Sequence, residues 1–118
     1  MLETKARTMV QLIYPVLDEK KAEDIQIIDI QKLTHLADYF VIASANNENH
    51  IKALADSLEE DLLKHEYACK HIEGYHTAEW ILLDYGDVVI HLFLKENRTF
   101  YQLERIWQDG QFCSIHQL

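Results

Sequence analysis

The chain has 118 residues, 48% of them hydrophobic and 26% charged, and its 20 acidic side chains outweigh 11 basic ones to give a net charge of −9. One core and one domain spanning residues 1–118 fit that length. The acid excess opposes phosphate recognition, so direct nucleic-acid recognition is not expected as the main contact, and a basic protein surface is the partner this charge favours. Cys69 and Cys113 give neither a disulfide framework nor paired-cysteine zinc spacing, and no secretory leader or apolar run of membrane-spanning length occurs. The expectation is a reduced, cytoplasmic protein without membrane contact.

From Leu2 to about Lys20, the spacing of Ala6, Met9, Val10, Ile13, Val16 and Leu17 predicts an amphipathic helix. Pro15 lacks the amide that would bond back to Gln11, so a kink or a restart is expected there. The apolar runs Ile25 to Ile30 and Tyr39 to Ala43 predict buried strands, with Lys32 to Asp38 a polar loop between them. Asn46 or Asn47 can cap a second helix, with Glu48 at the positive end of its dipole. Its apolar stripe is Ile51, Leu54, Ala55, Leu58 and Leu62. Tyr67 to Glu73 suggests an edge strand and residues 74–77 a loop. Glu96 to Trp107 predicts a last helix, with Phe100, Leu103 and Trp107 on one face and Tyr101 and Glu104 on another. The tail, residues 108–118, shows no clear period and is open to docking or to staying loose.

The most informative stretch is Trp80 to Phe93, two strands joined by a tight turn placed at Tyr85-Gly86, where glycine supplies positive φ. That turn pairs Asp84 with Asp87 and Trp80 with His91. Alternation then puts Ile81, Leu83, Val88, Ile90 and Leu92 on a wholly apolar face, and Trp80, Leu82, Asp84, Asp87, Val89, His91 and Phe93 on a mixed one. Two carboxylates set side by side destabilise a pair by up to about 1 kcal/mol. They are therefore bonded internally or presented to something basic; partner binding is the favoured reading and catalysis a small remainder. The order of elements fits an α/β fold bordering on α+β, a mixed sheet of about five strands flanked by helices.

Catalytic chemistry is sparse. With 3 glycines a phosphate-cradling loop could hardly be built. None of the seven histidines pairs on a helix with a supporting carboxylate, and Ser44 lacks the glycines of a nucleophile elbow. No metal, cofactor or catalytic residue is assigned.

Four blocks carry a family resemblance. They are Lys21-Ala22-Glu23-Asp24-Ile25 with Asp29; Asp38 to Ser44; Glu73-Gly74 with Trp80 to Val89, His91 and Phe93; and Arg98, Phe100-Tyr101, Leu103-Glu104 and Trp107. In identity and order they resemble the ribosomal silencing factor family, also called RsfS or Iojap-like. That family usually has glycine where Ala45 stands, and often arginine and glutamine where Asn49 and His50 stand. The resemblance implies a nucleotidyltransferase-like fold without catalytic residues, commonly as a homodimer. It further implies binding to large-subunit ribosomal protein number fourteen, obstruction of subunit joining, and repression of translation under nutrient limitation. On the mixed face, Asp84 and Asp87 are expected to meet basic side chains. Trp80, Tyr85 and His91 would supply contact area, with Tyr101, Glu104 and Tyr39 at the rim. The alternatives are a large-subunit assembly factor and, less favoured, a metal-dependent nucleotide-binding enzyme using the two aspartates.

Overall fold

The computed structural model describes residues 5–97 and the backbone of 111–113. Its elements are α1 (Lys5–Glu19), β1 (Glu23–Asp29), β2 (Tyr39–Ala45), α2 (Glu48–Lys64), β3 (His71–Glu73), β4 (Trp80–Asp84), β5 (Val88–Leu94) and β6 (Gln111–Cys113). The strands form one mixed sheet in the order β3-β4-β5-β2-β1-β6. Only β2 and β5 pair in parallel, from Tyr39 opposite Val88 to Ala45 opposite Leu94; the other neighbours are antiparallel. The expected α+β architecture is present. Its sheet gains a short sixth strand because Gln111–Cys113, within the tail that showed no period, pairs with Ile27–Asp29 of β1.

Both described helices cover one face of the sheet. The predicted stripe of α2, Ile51, Leu54, Ala55, Leu58 and Leu62, is fully buried together with Ala6, Met9, Val10, Ile13 and Leu17 of α1. These residues pack on Val41, Ala43, Ile81, Leu83, Val88, Ile90 and Leu92. Burying a side chain of this size contributes about 1.5–3 kcal/mol, so this layer dominates folding. α1 runs unbroken through Pro15, contrary to the expected kink or restart. Pro15 is exposed, so its ring displaces nothing in the core. Asn47 caps α2: its Oδ1 accepts from the His50 amide at 2.8 Å. The His50 ring in turn accepts from the Asn46 amide through Nδ1 and reaches the Lys20 carbonyl through Nε2 at 2.8 Å, tying the end of α1 to the start of α2.

The opposite face carries a second buried cluster of Ile28, Ile30, Ala37, Ile42 and Phe93, with Phe40, Trp80 and Val89 half-buried against it. Ile30 and Ala37 belong to the β1–β2 connection, which thereby folds against the sheet instead of hanging free. Alternation along β4 and β5 thus serves two apolar layers. The expected all-core face is fully buried, and the mixed face is the floor of the second layer.

Candidate functional site

The hairpin turn lies one residue later than the sequence suggests. The Tyr85 amide donates to the Val88 carbonyl at 2.9 Å, so Gly86 and Asp87 occupy the two central positions. Gly86 has φ +87° and Asp87 no positive φ, the pattern of a type II′ turn with glycine leading. The register follows: Asp84 opposes Val89, Leu82 opposes His91 and Trp80 opposes Phe93. A shift by two positions leaves every side chain on its expected face, because the period of a strand is two. It does, however, undo the expected cross-strand pairing of Asp84 with Asp87.

The two aspartates have separate surroundings. Asp84 Oδ1 accepts from the Gly86 amide at 2.7 Å and so supports the turn. The Asp87 carbonyl accepts from the amides of Asp38 at 2.7 Å and Tyr39 at 3.2 Å, joining the turn to the start of β2. Three carboxylates from three segments then gather at this end of the sheet: Asp29, Asp38 and Asp87. Burial, reinforced by the charges of Asp87 and then Asp29, raises the pKa of Asp38 above the ordinary carboxylate value. Asp38 is a site residue that the sequence reading did not single out. Its signal was available in the parallel start of β2 and β5, but only once those strands are known to be neighbours.

Tyr85 and Tyr39, expected at a contact surface, are instead buried. Tyr85 continues the inward alternation of Ile81 and Leu83, and Tyr39 that of Val41 and Ala43, so both sit in the helix-side core at 3% exposure. Burial pushes the Tyr85 hydroxyl up in pKa, with the Cys69 thiol as its next influence. Cys69 itself is half-buried and donates to the His71 carbonyl at 3.2 Å; burial raises its pKa too. Tyr101 and Glu104 lie outside the described residues.

Trp80 and His91 are brought together. The indole Nε1–H donates to His91 Nδ1 at 3.1 Å. His91 also meets the edge of Phe40, ring centroids 4.8 Å apart, while Trp80 stacks on Phe93 at 5.1 Å. His91 is 4% exposed, and burial lowers its pKa to about 4. It is neutral at physiological pH, and since Nδ1 accepts, the proton resides on Nε2. That Nε2 is buried with no hydrogen-bond partner among the described residues. His91 is therefore a support beneath Trp80 and supplies little contact area of its own. Trp80, Phe40, Leu82 and Val89 are the half-buried side chains through which this face meets its surroundings.

Among the described residues no three His, Cys, Asp or Glu side chains converge to hold a metal ion, and no helix is long and apolar enough to cross a membrane. What the site offers is a half-buried aromatic and aliphatic surface ending in carboxylates, an arrangement suited to binding a protein.

Comparison with known proteins identifies the family. The profile of the family described as "Ribosomal silencing factor during starvation" (RsfS) matches residues 3–118. The chain is 37% identical over 102 residues to the ribosomal silencing factor RsfS of Halalkalibacterium halodurans, covering 86% of this chain and 87% of that one. It is 33% identical to the mouse mitochondrial assembly of ribosomal large subunit protein 1, covering 93% of this chain but 51% of the relative. A crystal structure of a Chromobacterium violaceum protein superposes with a TM-score of 0.85 at 32% identity, over 94% of this chain and 92% of the other. The earlier resemblance thus extends over nearly the whole sequence: the chain belongs to the ribosomal silencing factor family, a family of non-enzymatic proteins.

Proposed function

We propose that this protein docks on the large ribosomal subunit, through the basic large-subunit protein number fourteen, and blocks joining of the small subunit so that translation falls when nutrients are scarce. Family membership over residues 3–118 carries the reading. The geometry supports it: Trp80 and its half-buried neighbours offer apolar contact area, and Asp87 and Asp38 add negative charge at the rim. Aromatic anchors beside complementary charge are the usual energetic centre of a protein interface. The action is obstruction. The molecule measures 40 × 33 × 25 Å, whereas intersubunit bridges need atoms within hydrogen-bond reach. It acts in the cytoplasm, and the free protein is a homodimer, which sedimentation equilibrium tests directly.

The deciding experiment recombines purified subunits with and without excess protein and resolves them on a sucrose gradient. Co-migration with the large subunit and loss of joined ribosomes is the expected result. Protein left at the top of the gradient with normal joining would end this reading. Charge reversal at Asp87 tests the electrostatic part. Asp84 is unsuited to that test, because its substitution removes the bond to the Gly86 amide.

A second reading has its own observation, the similarity to the mouse relative named for assembly of the mitochondrial large subunit. It uses the same surface and differs in timing. Accumulation of immature large subunits in cells depleted of the protein would favour it over obstruction of finished ones.

A further inference from the structure

We propose that the β1–β2 loop, residues 31–38, is a docking element whose exposed Leu36 seats in an apolar notch on a basic protein surface. This deepens the docking described above and rests on it. Three large hydrophobic side chains are exposed among the described residues, Leu33 at 43%, Leu36 at 82% and Leu63 at 62%, and two of them belong to this one loop. An exposed leucine on a mobile loop means little. This loop, however, is held at both ends and in the middle. The Ile30 amide donates to the Asp38 carbonyl at 2.9 Å, closing its base. The amides of Leu33 and Thr34 both donate to the Ile30 carbonyl, and the Leu36 amide donates to Thr34 Oγ1 at 3.1 Å. Ala37, next to Leu36, is buried in the second sheet cluster. A backbone tied on both sides of Leu36 presents that side chain in place, so binding does not have to order it first.

The surroundings of the loop select the occupant. Asp38 ends it, Asp87 is bonded to Asp38 through the backbone, and Asp29 precedes it with its carboxylate bonded to Gln31. Lys32 and His35 are the basic-type residues of the loop itself, and both are exposed. Counting Lys32 of the loop and Lys70, whose ammonium lies against Gly86 of the neighbouring turn, two fixed positive charges face the three carboxylates Asp29, Asp38 and Asp87. Acid remains in excess, which favours a basic partner over a second copy of a chain with net charge −9. Through Ala37 the loop is also continuous with the cluster that holds Phe40, Trp80 and Val89. Leu63 lies apart from it on α2, beside Ala68 and Cys69.

The test measures affinity for purified large subunits for the wild type, Leu36→Asp and Leu36→Met. Leu36→Asp should weaken binding by about tenfold or more and Leu36→Met by less than about threefold, as for an apolar anchor. Unchanged melting temperatures are expected for both, since the side chain is exposed. Asp38→Asn should slow association and flatten its dependence on salt. Wild-type affinity in Leu36→Asp would overturn the docking loop and leave the silencing reading standing. Dissociation of a dimer by Leu36→Asp with subunit binding intact would assign the loop to a second copy instead, and would equally overturn the proposal. Failure of the wild type to bind large subunits would overturn both.

Discussion

The indole of Trp80 and the imidazole of His91 are joined across β4 and β5 by an Nε1–H to Nδ1 bond of 3.1 Å, diagonal to the register pairs Trp80–Phe93 and Leu82–His91. The bond fixes the tautomer of His91 and the rotation of Trp80 together. Trp80→Phe keeps the stack on Phe93 but leaves a buried nitrogen acceptor unpaired, a loss of about 1–3 kcal/mol. In urea titrations, the double variant with His91→Phe should lose less than the two single variants added together. Strict additivity would show that the bond carries no coupling.

Acid should weaken the fold through His91. Its folded pKa is about 4 against 6.5 for the free side chain, so the native state favours the neutral ring. The stabilisation is complete above pH 6.5 and is lost as pH falls from there towards 4, because only the unfolded chain takes up the proton. At 1.36 kcal/mol per unit, the loss approaches about 3 kcal/mol. His91→Phe should flatten this limb of a stability–pH profile. An unchanged slope would mean that other groups set it.

Asp38 works in the opposite sense. Its folded pKa is raised by burial and by Asp87 and Asp29, so the native state favours the protonated carboxyl, and stability is lost as pH rises through that pKa. Asp38→Asn should therefore raise the melting temperature at neutral pH while reducing affinity for a basic partner. Loss of both stability and binding would contradict this trade.

Gly74 is required by close approach. With φ +79°, an added Cβ would stand 2.0 Å from the Trp80 carbonyl oxygen, a backbone atom that cannot swing aside. Gly74→Ala should cost more than about 1 kcal/mol, beyond the penalty of a positive φ alone. It should also disturb the entry to β4, so thermal melts and near-ultraviolet circular dichroism of Trp80 should change together.

The cap of α2 gives a milder expectation. Asn47→Ala removes the side-chain acceptor of the His50 amide and should cost about 1 kcal/mol, whereas Asn47→Asp should be close to neutral. Comparable losses from both would show that the cap acts through something other than its oxygen.

Much of this molecule is written in local pattern. The stripe of α2, the strand alternation from Trp80 to Phe93 and the cap at Asn46-Asn47 all depend on neighbours a few residues apart, and the structure has them where periodicity and capping put them. Even the shifted hairpin kept its two faces, because a slip of two positions preserves parity. The family was equally legible, since the blocks from Lys21 to Trp107 identify it by residue order alone.

Tertiary structure decided which of those residues are available. Tyr39 and Tyr85 are polar-tipped aromatics that suit an interface by type, yet their strands turn both into the helix-side core. Asp84 and Asp87 were neighbours by one choice of turn and are separated by the turn adopted, which gives Asp87 a new companion in Asp38 from the parallel start of β2. Leu36 shows the converse: an apolar residue in a polar loop, left exposed because its backbone is tied and Ala37 takes the buried place. Periodicity determines which side of a strand or helix a residue occupies. Whether that side is core, second layer or open surface depends on contacts between distant segments, and local sequence carries no record of those distances.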